Sequence, residues 1–260
     1  SVFYYVPATD PYSPAATGAG GAWNGELQAT LTSVIGEANY DIGHLFGASG
    51  GGGNAGCIGC VCTNGSKGSG FTSPADNIPQ GDNFDIDYVV HEVGHQLGAN
   101  HTFSMSTEGT GVNKEVGSGI TIMGYAGITG STDVQPHSDD LFSVVSIAQV
   151  SNAFKSGAPS ACPVITNTGN TAPVSDAGTD FTIPKSTPFA LTGTGSDVDA
   201  DDALTYIWEQ VDIFEKNTSN KFPSATSTTG PVFRVYNDSA LPVRVFPALP
   251  TILAGQTTST

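Results

Sequence analysis

The stretch HEVGHQLGANH, residues 91–101, decides how this sequence reads. It places three of the chain's five histidines, and one glutamate, within eleven residues. Just upstream and through it, Ile86, Val89, Val90, Val93 and Leu97 form one apolar stripe, which predicts a helix. Asp85 or Asp87 can cap its start, and Gly98 can end it. On that helix residues four apart share a face, so His91 and His95 point the same way. Gly98 tolerates the left-handed turn that lets His101 swing back to the same point. Two imidazoles at that spacing, a third after the turn and one open position suit a catalytic Zn²⁺ rather than a structural one, with nitrogens at ~2.0–2.1 Å. Glu92 stands beside the first ligand as a base for water rather than as a ligand. By residue frequency, a chance match to all five positions of HExxHxxGxxH is on the order of 10⁻⁵ over the chain, so core or surface histidines are a poor account of the stretch.

Outside this stretch, composition sets bounds. The 260 residues are enough for one full domain and a smaller one. Lys and Arg number 8 against 24 Asp and Glu, a net charge of −16. That balance argues against nucleic acid or an anionic membrane as partner. It suits a soluble protein exposed to salt or divalent cations, and equally one whose acids only keep its surface solvated. No run approaches the ~18 apolar residues of a membrane span. The opening SVFYYVPATD lacks the basic start and apolar stretch of a signal peptide. Of the four cysteines only Cys57 and Cys60 have CxxC spacing, so disulfides in a secreted protein fit better than a four-cysteine zinc site.

The chain divides in two. SVFYYVP reads as a strand. Trp23, Leu27, Leu31, Val34 and Ile35 mark an amphipathic helix within 22–38. YDIGHLF reads as a short strand, GASGGGGNAG as a flexible loop and CIGCVCT as a further strand. A last helix is expected over SDDLFSVVSIAQVSNAF, with Ser138 as N-cap and Asp139 and Asp140 in its first turn. Past Cys162 and Pro163, residues 163–175 are linker-like. DFTIP, PFALTG and LTYIWEQV then read as strands of an all-β module over 176–260. His44 reads as a rim or sheet residue and His137 as structural.

The long motif, with GSGITIMGYAG placing Met123 some 22 residues beyond His101, resembles the metzincin zinc peptidases, whose motif is followed by a methionine turn. The resemblance implies that Met123 floors the metal and that Tyr125 helps to stabilise the oxyanion; a tyrosine that only walls the pocket is the other reading. DIGHLFG and AGCIGCVC occupy places similar to the sheet strand and upper-rim strand of the reprolysin or adamalysin branch. On that resemblance Gly56, Cys57, Ile58 and Gly59 belong to a rim strand that binds extended substrate by β-addition. It also implies a Cys62–Cys162 disulfide, leaving Cys57 and Cys60 for a local one. The segment 126–136, with Ala126, Gly127 and Ile128, is implied to wall the pocket for the side chain just after the cut. Thr102 follows His101 where animal adamalysins have Asp, so secreted bacterial reprolysin-like peptidases are more similar.

SDVDADDALTYIWEQ, residues 196–210, resembles the PKD or immunoglobulin-like modules of secreted bacterial enzymes. Asp197, Asp199, Asp201 and Asp202 there either bind Ca²⁺ through oxygens or form a solvated acidic turn. The fold expected is therefore an α+β (α/β-type) metzincin catalytic domain over 1–162, with a twisted mixed sheet and zinc helix. A C-terminal all-β sandwich-like module, incomplete because no closing strand is evident, follows it. The element order matches the template only from its second strand onward, so further catalytic-domain sequence upstream of Ser1, within the same precursor, is expected. The function expected is a secreted zinc endopeptidase acting on proteins or peptides. A non-catalytic adhesin on a peptidase scaffold would be expected to lose Glu92, and a zinc amidase of cell-wall peptides would not need the methionine turn.

Overall fold

The computed structural model describes Tyr4 and residues 6–214, 222–224 and 226–256. It is a mixed α/β chain with small sheets and few helices. Two compact units are interleaved along it. The first comprises Ser1–His101 and Phe142–Pro163, the second Thr102–Leu141 and Val164–Thr260.

In the first unit, helix α1 (Trp23–Val34) buries Trp23 and Leu27. The Trp23 indole N–H donates to the Ser13 carbonyl at 2.8 Å, and its ring meets Phe71 edge-on at 5.5 Å. Three strands form one sheet in the order β1 (His44–Phe46), β3 (Gly70–Thr72), β2 (Gly53–Asn54). β1 runs parallel to β3, with Leu45 opposite Phe71, and β2 runs antiparallel to it. Helix α2 starts with π-helical turns over Asn83–Val90 and continues as α-helix over His91–Leu97. Gly98 ends it in the left-handed region at φ 119°. α2 packs on β3 so closely that a Cβ at Gly70 would lie 2.5 Å from the Gln96 amide. Helix α3 (Val144–Ser156) completes the unit and brings Ala153 against Gly98.

The second unit is built differently. Residues 102–141 contain a 3-10 turn at Gly130–Thr132 and an isolated bridge between Phe103 and Glu115. Their core is Phe103, Val116, Ile120, Ile122 and Met123, all at 4 % exposure or less. The C-terminal stretch carries two two-stranded antiparallel sheets: β4 (Val174–Asp176) with β6 (Thr194–Ser196), and β5 (Phe189–Thr192) with β7 (Val243–Phe246). A short helix, α4 (Leu249–Leu253), follows. Phe189, Phe233 and Phe246 stack into one cluster with centroids 4.9–5.9 Å apart.

Several expected elements differ. CIGCVCT is not a strand: Gly56, Gly59 and Cys62 have positive φ, and Cys57 is bonded to Cys60 with their Cα atoms 6.0 Å apart. Three extended residues would span about 10 Å, so the bridge requires a tight loop, and the edge strand lies earlier, at β2. The N-cap of α3 is Ser143 rather than Ser138, because the Asp139 N–H and the Leu141 carbonyl are taken by Ile120 and Ile122. DFTIP has no regular structure, and LTYIWEQV contributes only a bridge from Tyr206 to Ser239. The expected strand SVFYYVP falls largely on residues outside those described; Tyr4 and Val6 have no regular structure.

Candidate active site

Helix α2 presents His91 and His95 from one face, and the left-handed turn at Gly98 returns His101 to them. Ring centroids are 4.8 Å apart for His91 and His95, 5.3 Å for His91 and His101, and 4.5 Å for His95 and His101. His95 Nε2 and His101 Nε2 approach to 3.0 Å. His95 Nδ1 lies 2.8 Å from the Ala99 carbonyl, so it donates its proton there and leaves Nε2 a bare lone pair. One ring nitrogen from each of the three lies within 4.8 Å of the others. Three mostly buried imidazoles with converging lone pairs fit a single zinc ion.

Glu92 is half-buried next to this group. Burial pushes its carboxyl up to about 7, opposed by a hydrogen bond from the Ala55 backbone N–H. The neighbouring edge strand approaches with no side chain: a Cβ at Gly53 would fall 2.5–2.8 Å from the Glu92 side chain. Glycine at 53 is therefore a condition for the carboxyl to sit where it does. The cysteine loop is tied to the same helix, since the Gly59 N–H donates to the His95 carbonyl at 2.9 Å. Gly56, Cys57, Ile58 and Gly59 are thus present beside α2 as a loop, with Ile58 half exposed. Cys62 is bonded to Cys162, with Cα atoms 5.8 Å apart.

α2 itself is fixed to the sheet through His44. His44 Nδ1 lies 2.7 Å from Gln96 Oε1, and Nε2 lies 2.7 Å from Thr72 Oγ1. Gln96 Nε2 donates to the Gly43 carbonyl at 2.9 Å. Gln96 directly follows His95 on the helix, and an interior glutamine carries no periodic signal in the sequence.

In the second unit, Met123 is fully buried and its carbonyl accepts the Thr102 N–H at 3.0 Å. Tyr125 packs on Phe103 with centroids 4.7 Å apart. Ala126 is buried, while Ile128 is 69 % exposed. The turn is organised by Glu115, 2 % exposed. It accepts from Thr102 Oγ1 at 2.5 Å, Thr121 Oγ1 at 2.5 Å, Ile120 N–H at 3.0 Å and Thr121 N–H at 3.1 Å. The residue that follows His101 is thereby anchored to the methionine turn through a carboxylate 13 positions away. Sequence reasoning passed over Glu115; the one cue was Thr102 standing where an acid was expected.

The acidic turn brings carboxylates of Asp197, Asp199 and Asp202 together, without Asp201. Hydrogen bonds from Asp199 N–H to Asp197 and from Thr171 N–H to Asp199 account for part of that closeness, and nothing further marks a Ca²⁺ site.

Compared with protein families, residues 1–153 match the reprolysin-like metallo-peptidase family M12B. No curated protein and no solved structure matches the chain.

Proposed function

This chain belongs to the reprolysin-like metallo-peptidase family M12B, and from that premise we propose that it is a secreted zinc endopeptidase in which Glu92 is the general base. The observation that carries the reading is the convergence of His91, His95 and His101, with Glu92 next to the first of them on the same helix. Glu92, next to the first of these histidines and facing the side-chain-free approach of Gly53, is placed to act on water at the same point.

Zn²⁺ held by the three histidines would polarise the scissile carbonyl and draw the pKa of water toward ~7. Glu92 takes the proton of the attacking water on a carboxylate oxygen and passes it to the leaving amine nitrogen. Tyr125 donates its phenolic O–H to the developing oxyanion, and Met123 supplies the apolar floor. The loop Gly56–Gly59 lines the substrate, and Ala126, Gly127 and Ile128 wall the position just after the cut. Substrates are extended segments of proteins or peptides. Two disulfides support an oxidising compartment, and no described helix is long and apolar enough to cross a membrane. Catalytic residues fall within 1–162, with a linker over 163–175 and a partial PKD-like module over 176–260.

The test is cleavage of an unfolded protein. Chelation should abolish it and added Zn²⁺ restore it. Glu92→Gln should keep one zinc per chain yet lose ~10²–10⁴-fold in turnover. Near-normal turnover in that variant would move the base elsewhere, and cleavage that survives chelation would end the zinc peptidase reading.

A further inference from the structure

Residues 126–136 are followed in the chain by a helix of the other unit, yet they fold with residues 164 onward. One side chain makes that join polar and specific. Arg234 Nη1 donates to the Val134 carbonyl at 3.2 Å, and Nη2 donates to Gln135 Oε1 at 2.7 Å, across about a hundred positions of sequence. We infer that Arg234 is a positioning residue for the substrate-selecting wall, so that the C-terminal segment sets which side chain is accepted just after the cut. The inference rests on the peptidase reading above.

The wall is supported in two parts. Residues 129–133 hold themselves: Asp133 accepts from Thr129 N–H and Oγ1 at 2.9 and 2.6 Å, and from Gly130 N–H at 2.8 Å. Residues 134–136 leave that turn. Val134 is tethered at its N–H by Ser118 Oγ at 3.1 Å, and its carbonyl by Arg234. The strand of wall thus fixed bears directly on Gly127, where a Cβ would stand 1.9 Å from the Pro136 carbonyl oxygen. A shift of 134–136 has to be passed to Gly127 and so to Ala126 and Ile128.

Arg234 is in turn held firmly. Its carbonyl accepts from Arg244 Nη2, and Arg244 Nη1 donates to the Trp208 carbonyl at 2.7 Å. Both guanidiniums lie over Tyr236, at 5.2 and 4.7 Å from its centroid. Among the described residues neither has a carboxylate at ion-pair distance, in a chain with three acids for every base. A cation this placed is spent on the carbonyl and amide of the wall. Phe222 adds an apolar contact outside the wall itself: a Cβ on Gly117 would come within 2.8 Å of its ring. Arginine is needed because its planar fork reaches two acceptors at once.

The experiment uses the full chain loaded with zinc and a peptide set that differs only in the residue after the scissile bond. Arg234→Met should compress the ranking of kcat/KM between large apolar residues and glycine by on the order of 10-fold, mostly through KM, with zinc content unchanged. Arg234→Lys should recover part of it. Gln135→Ala removes the acceptor without touching the C-terminal core; it should shift the ranking the same way, and the double variant should add little to Arg234→Met. An unchanged ranking, or fully additive effects of the two single variants, would overturn the clamp. Hydrogen exchange provides the independent arm: Arg234→Met should speed exchange across 126–136 and leave the backbone of 174–196 as it was. If the wild type cleaves none of the peptides, the peptidase reading fails instead, and the exchange arm alone decides the clamp.

Discussion

The histidine helix and the turn that follows it are held by opposite means. His91–Leu97 relies on its own backbone hydrogen bonds, with Gly98 to stop it and Gln96 and His44 to seat it on the sheet. From Thr102 to Tyr125 there is neither helix nor strand of more than a bridge. At the centre of that stretch is one buried carboxylate with four donors, Glu115. The first region distributes its stability over repeated, interchangeable bonds. The second has scattered turn bonds, such as Thr102 N–H to the Met123 carbonyl and Tyr125 N–H to the Ser118 carbonyl, gathered around one buried side chain, so the same small change should cost very different amounts in the two places.

The largest effect should come from Glu115→Ala. Two backbone N–H groups and two hydroxyls would lose their acceptor in a buried site, and a loss of about 3–5 kcal/mol in urea unfolding is expected. A loss below ~1 kcal/mol would mean that water replaces the carboxylate and that the contrast is false. Gly98→Ala sharpens the other side. A side chain at a left-handed position costs about 1–2 kcal/mol, and the new methyl would stand 3.0 Å from Ala153 Cβ. Zinc affinity should fall with it, because His101 depends on that turn. A variant as stable as wild type, with zinc bound as tightly, would show that the turn is set elsewhere.

The smallest effect is a pH slope. Burial lowers the pKa of His44 below 6.5, opposed by its hydrogen bond to Gln96. The unfolded chain therefore takes up a proton first as pH falls, and stability drops below pH 6.5 rather than above it. The loss attributable to His44 should reach at most ~0.8 kcal/mol by pH 6. Thermal melts of the zinc-loaded protein and of His44→Gln at pH 7.5 and 6 should separate it. Equal losses in both would place the titration in another group.

This contrast also explains what could be read beforehand. α1 and α2 announce themselves by apolar residues three and four apart, and Gly98 by its type. The candidate positions His91, Glu92 and His95 follow from the helix, and His101 from the turn at Gly98. β2 was missed because its two residues are Gly53 and Asn54, which carry no alternation; its presence depends on pairing with Phe71 and Thr72. The cysteine loop reads as a strand because Cys, Ile and Val have strand-like character, whereas the bond between Cys57 and Cys60 overrides it. Glu115, Gln96 and Arg234 were invisible for a common reason. Each acts on residues far along the chain or on a backbone atom, and a sequence records neither distance nor which carbonyl lacks a donor.

The interleaving of the two units has a consequence for the order in which the protein is made. The histidine helix is synthesised well before α3, yet the Asn100 N–H that follows it is satisfied by Gln149 Oε1 at 2.9 Å, and Cys62 finds its partner only at Cys162. At ~5–20 residues per second, the histidine-bearing segment waits several seconds on a ribosome before the chain that completes its own unit exists. In that interval the nascent chain has His91, His95, His101 and Glu92 but not the helix that completes their unit. Assembly of the first unit is thus timed by the arrival of its last 22 residues rather than its first hundred, and the second unit must bridge that same insertion to find its other half.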